Sequence, residues 1–590
     1  MRIKKVEIRN FRGIKSLDWA PLEGLNLLVG HGDVGKSTVL DAIDCCLNFG
    51  RYEHFYDYDF YNFDCKSPIE IAISIGDLPD DLLNLERYAL YIRGFDAVKK
   101  EVHDEPQEGL ETILTVRLTV DSDLSYERNL YSERASQDGN QIGLPKQIRE
   151  AIRPVCFGVD GGEKFNWARG SLMQRLVSLN GGDQLALRQA VRELCKSDSV
   201  ELDEELDGVL NTVEGLASEL SIDVGRPNIR VDAKEVKLGW GAFALHDSNS
   251  IPLRSLGTGS TRLLSAALLM EAYRKANEAS DENGKKEFPF VLIDEMEFGL
   301  EPMRQAMLLL RMGAKTEEIN IPQSFITSHS RVALTEVPAE KVWFLHKKDG
   351  KHHMANLNDV DMSNSICKGV KEPQAVARTA PEAFFAKRVV VCEGKSEVGF
   401  LRGFDSYFHS KGEKMFRSNG VEYIDAHGGD APKDFEYWRF FNSIGIDVCI
   451  LCDNDRKEDK KVHKALYELY PELEGRLFRP NEGDCLESAL IKGMSEDTFV
   501  LMLKMASWLE ENEGHNQECS IISQFLEKAE KGVTESLREE VAERCSIKKW
   551  FKDISKMEYL VKELIGKDFE ENMHNYSPHF KRLLDWIRRA

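Results

Sequence analysis

The sequence predicts an α/β protein made of two successive parallel-sheet units, the first interrupted by helices and the second continued by them. Three features of its 590 residues carry this reading. A glycine-rich loop at 30–37 joins an apolar strand to a helix. An apolar strand at 290–295 ends in two acids. Two further apolar strands, at 389–393 and 446–455, also end in acids.

Composition sets the limits. There are 78 Lys+Arg against 100 Asp+Glu, a net charge of −22, with 42% hydrophobic and 30% charged residues. This is ordinary for a globular protein and excludes disordered and collagen-like chains. Apolar runs such as Leu263–Met270 are far shorter than the roughly 20 residues a membrane span needs, so no membrane is expected. The opening MRIKKVEIRNFRGIKS alternates charged and apolar residues, reads as a strand and lacks the apolar core of a secretion signal. The acidic excess runs through both halves of the chain. Affinity for a phosphate backbone comes mainly from Lys and Arg, so nucleic-acid contact would need a local patch or bound cations. The twelve cysteines are scattered, several in apolar runs (Cys45, Cys46, Cys392, Cys449), as expected of reduced thiols in a cytoplasmic protein. Cys449 and Cys452 form a C-x-x-C, but three residues apart on a strand they face opposite sides and read as core thiols.

Along the chain, residues 1–164 read as strand-rich α/β, with apolar runs at Leu25–Val29 and Ile69–Ile75. Over 165–224, Leu172, Leu176, Leu179, Leu187, Val191 and Leu194 recur at helical spacing before an acidic run, which predicts a helical insertion whose apolar face packs on something, plausibly a second copy. Residues 225–350 return to α/β. Residues 351–383 are polar and read as a linker. A second α/β unit spans 384–492, and 493–590 is charged and helical.

Gly30-His31-Gly32-Asp33-Val34-Gly35-Lys36-Ser37 fits G-x-x-x-x-G-K-[ST] in full, after the strand LNLLV and before a helix with Val39, Ile43 and Leu47 on one face. Backbone N–H groups around Gly30, Gly32 and Gly35 would close on phosphate oxygens at a helix N-terminus. Lys36 would reach the β/γ-phosphates, Ser37 would bind Mg²⁺, and Thr38 extends the set. Asp33 is unusual in such a loop and would weaken nucleotide affinity or help hold a metal. The strand Phe290–Ile293 ends in Asp294, expected to hold Mg²⁺ through water, and Glu295, expected to orient or deprotonate the attacking water. His329, just after the strand QSFIT, is placed to sense a γ-phosphate as a neutral imidazole. Ser255-Leu256-Gly257-Thr258-Gly259-Ser260-Thr261-Arg262 precedes an apolar helix; Gly257, Gly259 and Ser260 offer small residues and free N–H groups to a second phosphate.

This order of motifs over about residues 1–350 resembles the ABC-type ATPase heads of the SMC, RecF, Rad50 and OLD proteins. The resemblance implies two heads sandwiching two ATP molecules, with Lys36 and Asp294 of one facing the Gly257–Arg262 loop of the other. Gly257 stands where the common signature has a serine, so Thr258 or Ser260 would supply that hydroxyl. No convincing glutamine lid loop is found; the acidic-aromatic run Tyr56–Asp64 lies near its place. The insertion is too short for the coiled-coil arms of SMC or Rad50 proteins and fits a compact dimerisation element.

In the second unit, Val389–Cys392 leads into Glu393-Gly394-Lys395-Ser396-Glu397, and Ile446–Cys452 into Asp453-Asn454-Asp455. If the two strands are parallel neighbours, Glu393, Glu397, Asp453 and Asp455 converge at the edge where open α/β sheets place ligands. Carboxylates so gathered would repel without Mg²⁺ or Mn²⁺, and such a site suits two-metal phosphodiester cleavage. In this order the motifs resemble a Toprim domain. Glu487 is a further expected metal ligand, with Asp484 as a stand-in. ATPase head first and Toprim second resembles the OLD (overcoming lysogenization defect) nucleases, including the nuclease subunit of Gabija phage-defence systems. The resemblance implies a catalytic lysine in the C-terminal helices: Lys556 matches best, with Lys548, Lys549 and Lys552 as competitors. The basic end KRLLDWIRR reads as a solvated face more than a DNA contact.

The expected fold is therefore an ABC-type (SMC/RecF-like) P-loop ATPase with a helical dimerisation insertion, followed by a Toprim domain with a helical extension. The expected function is a metal-dependent DNA endonuclease, homodimeric or larger, in which ATP is a switch and not fuel. The resemblance implies prokaryotic defence against phage, with a helicase-like partner as a possible companion. The alternative is an SMC/RecF-like DNA-tethering or repair ATPase with a non-catalytic Toprim domain. A topoisomerase would need a gated DNA-cutting domain and a primase a template grip, usually with a zinc-binding element; neither is found.

Overall fold

The structure, a computed structural model, describes residues 1–49, 52, 54–78, 88–140, 142–157, 204–231, 243–283, 290–315, 321–360, 372–428, 433–455 and 467–588. The chain divides into two compact units, Met1–Asp359 and Val360–Ala590.

The first unit is built on two sheets. One is antiparallel, in the order Ile14–Trp19, Arg2–Phe11, Ile69–Gly76, Glu111–Val120, Ile92–Asp96, Glu101–His103, with Tyr126–Tyr131 also on Glu111–Val120. The alternating opening sequence makes Arg2–Phe11 a strand that buries Ile3, Val6 and Ile8. The other sheet runs Lys351–Asn356, Val342–Lys348, Leu25–Val29, Gln323–Thr327, Phe290–Ile293, Val155–Phe157. Four of its five pairings are parallel, the exception being the terminal hairpin, and its central strands are fully buried because both faces are covered. The phosphate-loop helix Lys36–Leu47 packs against strands of both sheets. Trp19 seals the layer with its ring edge-on to Phe325 and Trp343, at 5.6 and 5.5 Å.

Two expected boundaries shift. The polar stretch from Lys351 is not linker: Lys351–Asn356 pairs with Val342–Lys348 across the turn Asp349–Gly350, so the first sheet unit runs to Asp359. An exposed edge hairpin needs few apolar residues, which is why it reads as a linker. Of the expected insertion, the described part is the helix Glu204–Glu219, which buries Leu206, Val209, Leu210, Val213 and Ala217. It packs on the helix Thr258–Asn283 of its own unit. The Leu172–Leu194 pattern lies outside the described residues.

The second unit holds a four-stranded, all-parallel sheet, Val421–Asp425, Arg388–Cys392, Asp447–Leu451, Leu477–Phe478. Cys392 is level with both Leu451 and Asp425, so the C-terminal tips of three strands coincide. Cys449 and Cys452 are buried and unbridged, with burial raising both thiols well above their usual range. From Leu486 the chain is helical, as its charge and periodicity predict. These helices share one core with the helix Lys395–Ser410, whose Phe400, Phe404 and Phe408 recur at i, i+4 and i+8 and meet Phe580 and Phe569. Each such side chain contributes about 1.5–3 kcal/mol on burial. Gly399 permits the closest approach: a Cβ there would lie 2.6 Å from the Ile554 carbonyl oxygen. Among the described residues no helix is long and apolar enough to cross a membrane.

Candidate nucleotide and carboxylate sites

In the first unit the loop Gly30–Lys36 turns through left-handed conformations at Asp33 and Gly35, φ 61° and 99°. Lys36 is buried, and its ammonium donates to the carbonyls of Gly30 and His31, each at 2.9 Å. Burial pulls it down to about 8, against the opposing charges of Glu297 and Asp294. A buried ammonium that donates to backbone carbonyls, with carboxylates near but not bonded to it, suits an incoming phosphate. Gly32 and Ser37 are exposed and Thr38 half-buried. Ser37 donates to Asp294 Oδ1 at 2.8 Å, so the hydroxyl and carboxylate of the expected Mg²⁺ site are adjacent.

The tip of the strand Phe290–Ile293 is a constrained turn. Glu295 has φ 46°, a left-handed conformation unusual for a residue with a Cβ. Thr327 bridges it: its hydroxyl donates to Asp294 Oδ1 at 2.6 Å and accepts from the Glu295 N–H at 2.8 Å. His329 sits beside this turn, its imidazole lowered from the ordinary value by partial burial and by the Lys36 charge. Glu297 was not foreseen. It accepts from the Ser328 hydroxyl at 2.8 Å and the His329 N–H at 2.6 Å, and is the largest carboxylate influence on Lys36. Its only sequence signal is its place two residues after Glu295.

The small-residue loop departs from expectation. Gly257 and Thr258 are exposed, but Gly259 is buried, with a Cβ built there only 1.9 Å from the Gly299 carbonyl oxygen. Ser260 accepts from Arg304 at 2.9 Å. Arg262, expected on a surface facing a second head, is turned inward and buried. Gly259 and Ser260 are thus engaged within their own unit, because the helix start packs directly on the turn after Glu295. The run Tyr56–Asp64 lies against the phosphate-loop helix through Arg12, which donates to Asp59 at 2.8 Å and Asp41 at 2.5 Å.

In the second unit four carboxylates lie within electrostatic reach of one another near the sheet edge. Glu393 Oε2 accepts from the Asp453 N–H at 2.9 Å, and Asp453 Oδ1 from the Leu486 N–H at 2.7 Å. Glu397 accepts from the Gly394 N–H at 2.9 Å, and Glu487 Oε1 from the Ser396 hydroxyl at 2.7 Å. Glu397 and Glu487 are 4% and 2% exposed, and Glu487 Oε2 has no partner. Burial, then the Glu393 and Glu487 charges, push Asp453 up to about 8. Burial, then Asp453, Glu487 and Glu393, raise Glu397 well above the carboxylate range. The charges of these acids act on one another and Glu487 keeps an orphaned oxygen, a combination that favours a divalent cation, but no three of their oxygens close to within 4.8 Å of one another, as the ligand atoms of Glu510, Glu513 and His515 do.

Asp455 stands exposed two residues beyond, outside this buried set. Asp484 is no stand-in: it is paired with Lys492 at 2.5 Å. Lys556 is also displaced from the expected role, since it reaches Glu513 at 2.6 Å from inside the helix Ile554–Leu560. Lys552, just before the helix-capping Asp553, is the competitor that lies in the field of the carboxylates. Burial lowers its ammonium, but the charges of Glu487 and Asp453, with Glu397, outweigh this and raise it.

Residues 384–455 match the model of the Overcoming lysogenization defect protein-like TOPRIM domain, and residues 1–137 that of an AAA ATPase domain. The OLD nuclease of Thermus scotoductus is 34% identical over 100 residues, 16% of this chain and 19% of that protein. The chain has the ATPase–Toprim architecture of the OLD family. The DNA replication and repair protein RecF of Prosthecochloris aestuarii is 34% identical over 67 residues, 11% of this chain and 18% of that protein. The chain thus spans less than a fifth of either relative. Among solved structures, the SMC head domain from Thermotoga maritima aligns at 15% identity over 60% of this chain and 99% of its own, with TM-score 0.31. Within the OLD architecture, Asp294, Glu487 and Lys552 lie beyond both matched stretches and are joined to their sites by the fold alone.

Proposed function

We propose that the chain is an ATP-binding, metal-dependent DNA endonuclease whose Toprim site is gated by an ABC-type ATPase head acting as a dimer. The observation that carries this reading is the carboxylate set at one sheet edge: Glu393, Glu397, Asp453 and Glu487, two of them buried and one with an unpaired oxygen. Such a cluster is costly unless cations are held there. Glu393, Asp453, Glu397 and Glu487 would hold Mg²⁺ or Mn²⁺, with Asp455 closing the set from the exposed side. When bound, these ions supply Lewis-acid activation of water and charge neutralisation at the leaving oxygen. Lys552 would face the cleaved phosphate and offset its developing negative charge.

In the head, Lys36 and the loop N–H groups would bind the ATP phosphates, Ser37 and Asp294 the accompanying Mg²⁺, and Glu295 would orient water while His329 contacts the terminal phosphate. Phosphodiester hydrolysis is downhill without ATP, so nucleotide would set access to the cutting site. The biological role would be defence against phage, with a helicase-like partner supplying or exposing the DNA.

The test is cleavage of supercoiled plasmid with Mg²⁺ or Mn²⁺, with and without ATP, by wild type, Glu393→Ala and Lys36→Ala. Nicking or linearisation lost in Glu393→Ala supports the nuclease. Intact plasmid under every condition, with ATP turnover that Lys36→Ala abolishes, supports instead a DNA-tethering ATPase.

A further inference from the structure

The small-residue loop and the catalytic turn of the head are one mechanical piece. Arg262, 3% exposed, sits one turn into the helix Thr258–Asn283. Its guanidinium donates to three backbone carbonyls of the opposite segment: Asp294 at 2.5 Å, Glu295 at 2.9 Å and Phe298 at 3.2 Å. Those carbonyls bracket the left-handed Glu295, φ 46°. Such a conformation costs about 1–3 kcal/mol in a residue with a Cβ and persists only when its surroundings hold it. The holding is two-sided. Thr327 takes the Glu295 N–H and Asp294 Oδ1, and Arg262 takes the carbonyls. Two further contacts fasten the same seam: Gly259 against the Gly299 carbonyl, and Arg304 on the Ser260 hydroxyl.

We infer that Arg262 is a positioning residue for ATP turnover, fixing the turn from which Glu295 addresses water, and that it ties this turn to the exposed Gly257–Thr258 of the same head. The planar fork is what the role needs. A guanidinium can donate to several carbonyls in fixed directions, whereas an ammonium offers a point charge on a flexible stem. Among the described residues the hydrogen bonds of Arg262 go to Asp294, Glu295 and Phe298 and not to the phosphate loop, so nucleotide affinity, set by Lys36 and Ser37, is separable from it. A phosphate of a second head docking on Gly257–Thr258 would then pull on the Glu295 turn of the first. The inference rests on reading residues 30–37 and 294–295 as an ATP site.

The experiment measures ATP affinity by fluorescent-nucleotide binding and turnover with and without DNA, for wild type, Arg262→Lys and Arg262→Ala, with thermal melts of each. The expected result is a fall in kcat of tenfold or more in Arg262→Lys, with nucleotide Kd within about threefold of wild type, and partial recovery of Arg262→Ala turnover by millimolar guanidinium. Turnover within twofold of wild type in Arg262→Lys overturns the inference. So does a parallel loss of affinity and turnover, or loss of the fold in Arg262→Lys, since each makes the contact structural. A wild type that binds but never hydrolyses ATP also overturns it while leaving the nucleotide site standing. A wild type that does not bind ATP removes the underlying reading instead.

Discussion

Replacing Glu393 by Gln should make the metal-free protein more stable and abolish the proposed plasmid cleavage. Asp453 is pushed from 3.8 to about 8, so keeping it ionised costs about 6 kcal/mol at about 1.36 kcal/mol per pH unit. Burial is the larger cause, and Glu393 is the first of the neighbouring charges. At an effective dielectric of about 20, one nearby unit charge contributes on the order of 2 kcal/mol. The amide oxygen of Gln can still accept from the Asp453 N–H, so the loss on that bond is below about 1 kcal/mol. The net gain is about 1–2 kcal/mol. The sign with pH follows from the raised folded-state value. The folded protein holds its proton more tightly than the unfolded chain, so stability falls as pH rises from near 4 to near 8. The gain from Glu393→Gln is therefore expected at pH 8 and nearly absent at pH 5, where Asp453 is protonated. In EDTA, the melting transition of the unit formed by residues 360–590 should rise by about 2–4 °C per kcal/mol gained at pH 8. A lower melting point at pH 8, or an equal shift at pH 5, refutes the argument that these acids repel one another.

Further outcomes follow from the same geometry. Mg²⁺ or Mn²⁺ should raise the melting point more at pH 8 than at pH 5, because cation and proton compete for Asp453; equal shifts at both pH values count against the site. Lys552→Ala should slow plasmid cleavage on the order of 100-fold, and Lys556→Ala should leave it within about threefold, as initial rates would show. Gly259→Ala drives a Cβ into the Gly299 carbonyl 1.9 Å away and should cost about 1–3 kcal/mol in denaturant unfolding, with turnover reduced. Lys36→Ala should abolish the stabilisation that ATP gives in a thermal melt while leaving the metal-induced shift intact.

The parts of the two sites written in short local patterns were legible without the fold. A glycine-rich loop between an apolar strand and a helix specifies its own geometry, so Lys36 and Ser37 stand where the pattern puts them. The strands Arg388–Cys392 and Asp447–Leu451 are apolar after their first residue, which marks them as buried and parallel, and the acids that follow them fall at one edge by register alone. Where long side chains choose between partners, the pattern was silent. Lys552 and Lys556 are four residues apart with similar neighbours, and one meets the site while the other meets Glu513. Arg262 reads as part of a loop facing a second head but is buried on three carbonyls contributed from 32 to 36 residues further along. The edge strand Lys351–Asn356 reads as linker because pairing on one side asks little of its side chains.

From sequence alone came the order of the two units, the phosphate loop, and the acids at strand tips, because backbone conformation and hydrophobic period are local. Tertiary structure alone decided that Lys552, and not Lys556, lies in the field of the carboxylates, that Glu297 and Thr327 brace the turn at Asp294 and Glu295, and that Arg262 faces inward. Those assignments depend on which distant backbone groups a long or charged side chain reaches once burial forces it to find a partner.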